Sequence, residues 1–319
     1  MQHRCAILDD YQNVALELAD WSRVKMGAET TVFNEPLGGK AAEMLRNFSI
    51  LCLMRERTLF DRKMIEALPN LKLLVTSGMR NAAIDLKAAT ERNIPVCGTE
   101  STGTPTAELV FGLMLELTRK IGFEHARLKA GAAWQSTVGI ELAGKTLGIL
   151  GLGKLGSRVA EIGKAFGMNV IAWSQNLTDE KAGAAGAKRV SKEDLFRQSD
   201  FITIHTQLSE RTRGVVGAAE FSLMKPGAYL INTSRGPIVD EKALIAALRE
   251  KKIAGAGIDV YDVEPLSLDH PLRKIERAVI TPHLGYVTVE GYHRFYSQMA
   301  EDVRAWLDGK PIRLIAAPA

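Results

Sequence analysis

The sequence predicts an α/β protein of two domains, each a parallel sheet with helices on both faces. Three observations predict it. The chain has 319 residues, long for one hydrophobic core and sufficient for two. Short apolar runs of strand length alternate with helix-period segments from end to end, the pattern of βαβ units. A stretch rich in turn formers, GTESTGTPTAE at residues 98–108, divides two such sets.

In the first set, CAILD, TTVF, ILCLM, KLLVTSG and IPVCG read as strands. They are apolar without alternation, as expected where helices cover both faces of a parallel sheet. Between them VALELAD, KAAEMLRNF, DRKMIEALP and DLKAATERN read as helices. After the break comes a long helix, TAELVFGLMLELTRKI, with Thr104 or Thr106 as N-cap. It is apolar nearly all round, which predicts one cover from its own domain and another from a second subunit. The second set runs from Lys145 to about Gly285. Its strands are TLGIL, NVIAW, FITIH, AYLINTS, GAGIDV and AVITPH; its helices include SRVAEIGKAFG, KEDLFRQ and DEKALIAALREKK. The last helix, YHRFYSQMAEDVRAWLDG, has no strand read after it. It is expected to return to the first domain, making that domain discontinuous and leaving a cleft between the two. The expected boundaries are 1–101 plus 289–319 for one domain and 102–288 for the other.

Composition narrows the class. Apolar residues make up 46% and charged residues 24%, ordinary for a soluble globular protein. The net charge of +4 comes from scattered rather than clustered Lys and Arg, which argues against nucleic-acid and membrane partners. Cys5, Cys52 and Cys97 lack metal-type spacing and sit in apolar strand-like runs, so they read as buried free thiols of a reducing compartment. The N-terminal MQHRCAILDD has no signal-peptide core, and no apolar run is long enough to span a bilayer. A cytoplasmic protein without a metal is the expectation.

The stretch LGILGLGKLGSR, residues 147–158, spaces Gly151, Gly153 and Gly156 as G-x-G-x-x-G. It follows a strand and opens a helix with Val159, Ile162 and Phe166 on one face, the context a dinucleotide loop needs. Gly151 permits the tight turn, Gly153 lets backbone approach a pyrophosphate, and Gly156 lets the helix close on the strand. Lys154 and Leu155 bring the helix N-terminus, with its unpaired N–H groups, to the phosphates. The other reading is a glycine turn with no ligand. The next strand, NVIAW, should end near an acidic residue for the ribose 2′-hydroxyl. Ser174 stands there, followed by Gln175 and Asn176, so NAD and NADP both remain open.

Three later segments place polar residues at strand ends, where open α/β sheets bind ligands. These are Arg235 in LINTSRGPIVD, Asp259 and Glu264 in GAGIDVYDVEP, and His283 in AVITPHLG. Each has an ordinary reading: a structural ion pair for Arg235, a solvated turn carboxylate for Glu264, a satisfied core histidine for His283. Together they suit reduction of a 2-oxo acid. Arg grips a carboxylate bidentately. His titrates in the range of a proton donor. A carboxylate beside the His holds its tautomer.

GILGLGKLGSRVAEIGKAFGMNVIAW, LMKPGAYLINTSRGPIVDEKALIAAL, AGAGIDVYDVEP and ITPHLG are similar to the cofactor-loop and active-site motifs of the D-isomer-specific 2-hydroxyacid dehydrogenases, and the resemblance covers essentially the whole chain. The family includes phosphoglycerate dehydrogenases and glyoxylate/hydroxypyruvate reductases. The resemblance implies two doubly wound domains, a Rossmann cofactor domain and a flavodoxin-like substrate domain, with a cleft between them and a homodimer formed through the dinucleotide-binding domain. It implies Arg235 as carboxylate and carbonyl anchor, Glu264 as partner, and His283 as general acid/base. It puts Asp259 near the nicotinamide carboxamide, and His205, Thr206, Thr233 and Ser234 on cofactor-lining positions. It implies that TSGMRNAAID offers backbone N–H groups around Gly78 and Met79 to the substrate carboxylate. Arg55 and Arg57, in LMRERT, line the same region.

The sequence departs from the family pattern at Ser174 and in TSGMRNAAID, which lacks the more usual second glycine and the Asp before the Asn. Glu264 argues against the formate dehydrogenases of the superfamily, which carry Gln there. The end at Ala319 leaves no room for the regulatory domain of some phosphoglycerate dehydrogenases. Phosphorylated substrates need a further basic cluster, for which Arg55, Arg57, Arg80 and Arg294 are the candidates, solvation being their other reading. The leading expectation is an NAD(P)-dependent reductase of a small 2-oxo acid. The alternative is a dinucleotide-binding sensor of the corepressor kind; the Arg235, Glu264 and His283 set does not separate the two, and the absence of extended tails favours the enzyme.

Overall fold

A computed structural model describes residues 2–316; Met1 and residues 317–319, which the expected first domain includes, lie outside the described residues. The chain forms two compact units, Met1–Thr102 with Val287–Ala319, and Gly103–Tyr286. No helix among the described residues is long and apolar enough to cross a membrane.

The chain opens with β1 (His3–Ile7), α1 (Ser22–Lys25), β2 (Ala28–Val32), α2 (Ala41–Leu45), β3 (Ile50–Leu53), α3 (Arg62–Glu66), β4 (Leu73–Thr76), α4 (Leu86–Glu91) and β5 (Val96–Gly98). These strands lie parallel in the order β5-β4-β3-β1-β2. Every residue of β3, β4 and β5 is buried, the consequence of helices on both faces. Asp61 and Asp85 cap α3 and α4 by accepting the Met64 and Ala88 N–H groups.

The second unit runs α5 (Thr104–Arg119), α6 (Ile121–Lys129), β6 (Thr146–Leu150), α7 (Lys154–Ala165), β7 (Asn169–Trp173), α8 (Asp179–Ala184), β8 (Lys188–Arg189), α9 (Lys192–Gln198), β9 (Phe201–Ile204), α10 (Ala218–Leu223), β10 (Tyr229–Asn232), α11 (Glu241–Arg249), β11 (Gly255–Ile258) and β12 (Ala278–Ile280). Its strands lie in the order β12-β11-β10-β9-β6-β7-β8, all parallel. Strand residues alternate between two cores. Leu150, Ile202, Ile204, Leu230 and Ile258 pack with α9, α10 and α11. Leu147, Ile149, Phe201, Tyr229 and Ile231 pack with α5 and α7. The chain ends in the first unit with α12 (Val289–Leu307) and β13 (Leu314–Ala316).

Three expectations need correction. VALELAD is not a helix. The Asp10 carboxylate accepts the Val14 and Ala15 N–H groups at 3.1 and 2.8 Å, and Trp21 Nε1 donates to the Ala15 carbonyl, so residues 14–20 are held in turns. Neither Thr104 nor Thr106 caps α5. Gly103 does, at φ +76°, with Pro105 in the first turn, and the Thr106 hydroxyl donates instead to the Gly285 carbonyl at 2.6 Å. A strand does follow the last helix. Gly309 and Arg313, both at positive φ, turn the chain so that β13 pairs antiparallel with β5.

The long apolar helix α5 buries Ala107, Val110, Phe111, Leu113, Met114 and Leu117. Beyond it α6 buries nothing, and Ile121, Phe123, Leu128, Trp134 and Val138 are exposed.

Candidate active site

The glycine loop joins β6 to α7, and two of its three glycines are sterically required. Gly151 has φ +104°, and a Cβ there would stand 2.6 Å from the Thr206 nitrogen. At Gly156 a Cβ would stand 2.2 Å from the Gly151 carbonyl oxygen, so only glycine lets α7 close on the strand. Gly153 is extended and has open space where a side chain would be; it begins α7 with no side-chain cap. Bare backbone leading into an uncapped helix start, with Lys154 and Leu155 as its first residues, fits a pyrophosphate.

The neighbouring strand ends face this loop. Ser174, after β7, accepts the Leu152 N–H at 2.8 Å, while Gln175 and Asn176 are exposed. After β9, the His205 N–H donates to Leu150, and its ring Nε2 meets the Thr203 hydroxyl at 2.8 Å. Burial pushes this imidazole down to about 3, so it is neutral at ordinary pH. Ser234, after β10, donates its hydroxyl to the Thr206 carbonyl at 2.6 Å, next to the buried Thr233.

Arg235 follows β10 in extended backbone, and its guanidinium donates to the Ser234 carbonyl. Glu264 lies beyond β11. One of its oxygens accepts the Tyr261 N–H at 2.9 Å and the other meets His283 Nδ1 at 2.7 Å. Burial works to raise the Glu264 carboxyl. The hydrogen bond and charge of His283, the Tyr261 N–H and the charge of Arg235 together outweigh it and hold the group below its ordinary range. His283 sits at φ +55°, a conformation that costs about 1 kcal/mol or more for a non-glycine residue and has to be held by its surroundings. Asp259 is fully buried and accepts the Thr281 hydroxyl and the Leu284 and Gly285 N–H groups at 2.6, 2.7 and 2.9 Å. Burial nevertheless raises its carboxyl. With Nδ1 engaged by a carboxylate, Nε2 is the ring nitrogen of His283 that can exchange a proton.

The remaining expected residues lie in the first unit. Arg55, at φ +53° after β3, receives support from Ser77, whose hydroxyl accepts its N–H at 2.8 Å. Its guanidinium lies against Gly78, where a Cβ would stand 2.2 Å from Nη1. The Gly78 N–H donates to the Thr99 hydroxyl at 2.9 Å. Met79 is exposed, and its N–H makes no hydrogen bond among the described residues. Arg57 donates to the Asp9 carbonyl and the Tyr292 hydroxyl and lies over the Tyr11 ring, 4.4 Å from its centroid. Arg80 and Arg294 are exposed.

A profile of the D-isomer specific 2-hydroxyacid dehydrogenase NAD binding domain matches residues 111–285. The glyoxylate reductase of Aeropyrum pernix is 40% identical over 259 residues, 78% of this chain and 77% of that protein. The chain belongs to the D-isomer specific 2-hydroxyacid dehydrogenases. A phosphoglycerate oxidoreductase from Vibrio cholerae O395 has the same fold, with a TM-score of 0.90 and 32% identity over 97% of this chain and all of that one. A D-lactate dehydrogenase from Aquifex aeolicus, solved with NAD and lactic acid, gives a TM-score of 0.82 and 25% identity over 99% of this chain and 100% of that one. The chain is thus an NAD-dependent oxidoreductase of 2-hydroxy acids, and its glycine loop belongs to the family's NAD-binding domain.

Two residues that shape this site went unread in the sequence. Tyr261 looks like an ordinary strand aromatic, and Gly236 like part of a turn. The sole hint was that both fall inside motifs already singled out for Arg235 and Glu264.

Proposed function

We propose that this dehydrogenase reduces a small 2-oxo acid with Arg235, Glu264 and His283 as its catalytic set. The observation that carries the reading is the 2.7 Å contact between Glu264 and His283 Nδ1, on strand ends of the same sheet that bears Arg235. Arg235 grips the substrate carboxylate and polarises the carbonyl. Glu264 holds the His283 ring so that Nε2 delivers a proton to the carbonyl oxygen, and takes it back in the oxidative direction. Bound reduced nicotinamide supplies the hydride. Asp259 orients the turn that carries His283, beside the nicotinamide end of the dinucleotide. In the first unit, Arg55 with the Met79 N–H forms an edge suited to a carboxylate.

The functional division we favour is 1–101 plus 289–319 for the substrate and 102–288 for the dinucleotide, which the two compact units support. The exposed apolar residues of α6 and the stretch after it support a homodimer through the second unit. Three buried free thiols support the cytoplasm.

The same reading admits NADP. The end of β7 carries a neutral hydroxyl and two neutral amides where a carboxylate would repel a 2′-phosphate. We expect kcat/KM with NADH and NADPH to differ by less than about a thousandfold, roughly 4 kcal/mol, with NADPH the better, and Ser174→Asp to swing preference toward NADH. A wild-type preference for NADH beyond that bound would place selection elsewhere. The test of the whole reading is turnover of glyoxylate, hydroxypyruvate and larger 2-oxo acids with both cofactors. Tight dinucleotide binding without turnover of any of them would favour a sensor.

A further inference from the structure

We propose that Gly236 and Tyr261 are positioning residues that register Arg235, Glu264 and His283 on one another, an inference that rests on the catalytic roles given above. Tyr261 touches the apparatus of all three. Its N–H donates to Glu264 at 2.9 Å. Its buried hydroxyl lies 3.2 Å from the Ile258 carbonyl, at the end of β11, and 2.9 Å from the Thr281 carbonyl, two residues before His283. The Thr281 carbonyl also accepts the His283 N–H, so the Tyr261 hydroxyl and the His283 backbone share one acceptor. On its other side, the Tyr261 backbone is the wall against which the Arg235 loop closes. A Cβ on Gly236 would stand 2.0 Å from the Tyr261 carbonyl carbon, 2.2 Å from its oxygen and 2.5 Å from the Asp262 nitrogen.

No real Cβ occupies such a position, and the atoms it would meet are backbone rather than a flexible side-chain tip. A side chain at 236 therefore drives two loops apart: the one carrying Arg235, and the one whose Tyr261 N–H holds Glu264. Glycine here serves closeness rather than a special backbone angle. The separation of the guanidinium from the imidazole depends on that contact, and a displacement of about 1 Å at reacting groups costs on the order of a hundredfold in rate.

The test compares full-length Gly236→Ala and Tyr261→Phe with wild type. Gly236→Ala is expected to lower kcat/KM for a 2-oxo acid about a hundredfold, with KM raised and kcat lowered together. NADH affinity, measured by fluorescence titration, should stay within about threefold, because the glycine loop is untouched. Tyr261→Phe keeps the ring in its packing and removes the shared hydroxyl. It is expected to lower kcat/KM about three- to tenfold and to displace the pH limb of the reaction. Both variants should also move the pH at which the His283 ring titrates by NMR, a readout needing no substrate. Unchanged kcat/KM and unchanged titration in both variants, with only a lowered Tm, would overturn the proposal and leave the pair a packing contact. If Gly236→Ala fails to fold, Tyr261→Phe decides alone. Wild-type protein inert toward every 2-oxo acid would sink the catalytic reading, while the ring titration would still decide whether this pair sets the His283 environment.

Discussion

Glu264 in the second unit and Asp302 in the first are both carboxylates withdrawn from water and set against a nitrogen donor, 2.7 Å away for Glu264 and 2.9 Å for Asp302. They end on opposite sides of the usual range. Both Glu264 oxygens are bonded, and a third of the side chain still meets solvent. Its carboxyl is held low despite burial. Asp302 on α12 is wholly buried; Arg313 donates to one oxygen, and the other has no hydrogen-bond partner among the described residues. Burial pushes it up to about 7, against the pull of Arg313 and with the push of Glu301. A neighbouring cation does not by itself keep a buried carboxylate ionised. What decides is whether enough donors and residual hydration replace the lost water. The carboxylate at the candidate catalytic site has them, and the one that ties β13 to α12 does not.

Substitutions of increasing distance from the reacting atoms sharpen this contrast. The largest effect is expected for His283→Asn, which removes the proton donor that Glu264 serves. Steady-state kcat should fall roughly 10²- to 10⁴-fold with dinucleotide affinity nearly intact, whereas Asp302→Asn should leave turnover within about threefold. Wild-type-like kcat in His283→Asn would end the assignment. Arg235→Lys keeps the charge and loses the fork; kcat/KM should fall on the order of a hundredfold, mostly through KM. An unchanged value would move the carboxylate anchor to the first unit.

Glu264→Gln keeps the shape of the partner and removes its charge. Reduction uses the protonated imidazole and so declines as pH rises; oxidation uses the neutral ring and rises. Without the carboxylate, the reduction limb should move to lower pH and kcat should drop about tenfold. A limb that stays in place would show Glu264 and His283 to be uncoupled.

The smallest effect belongs to Asp302, and it appears in stability rather than rate. Its folded value of about 7 lies above the 3.8 of an ordinary aspartate. The folded state therefore keeps a proton that the unfolded chain gives up. That contribution is fully present at acid pH, below the unfolded value, and is lost as pH rises through about 7. Between pH 5 and 8 the wild-type Tm should fall by a few degrees relative to Asp302→Asn, which lacks the group. Parallel Tm–pH curves would mean that Arg313 keeps Asp302 charged after all.

The sequence by itself determined the elements whose signal is local. β3 reads as an unbroken apolar run, and β4, β9 and β10 as apolar runs that take in only Thr76, Thr203 and Asn232, because parallel strands are buried on both faces. The G-x-G-x-x-G spacing was legible because it falls within one strand–turn–helix, although the clash that fixes Gly151 comes from Thr206 and His205 beyond β9 and only that at Gly156 is local. Residue types marked Arg235, Glu264 and His283 as chemically able groups at strand ends. Where partners lie far apart along the chain, the sequence was silent. VALELAD carries a helical pattern, yet Asp10 claims its N–H groups and itself receives the Tyr296 hydroxyl from 286 residues away. β13 is three residues long and depends on Arg313 reaching back to Asp302. The resemblance named Glu264 as the partner of His283 but not their 2.7 Å contact across 19 residues, and the approach of Gly236 to Tyr261, on loops after two separate strands, went unread. Those pairings exist because parallel strands bring their carboxyl ends to one edge, and the distances across that edge come from packing, which only the tertiary structure decides.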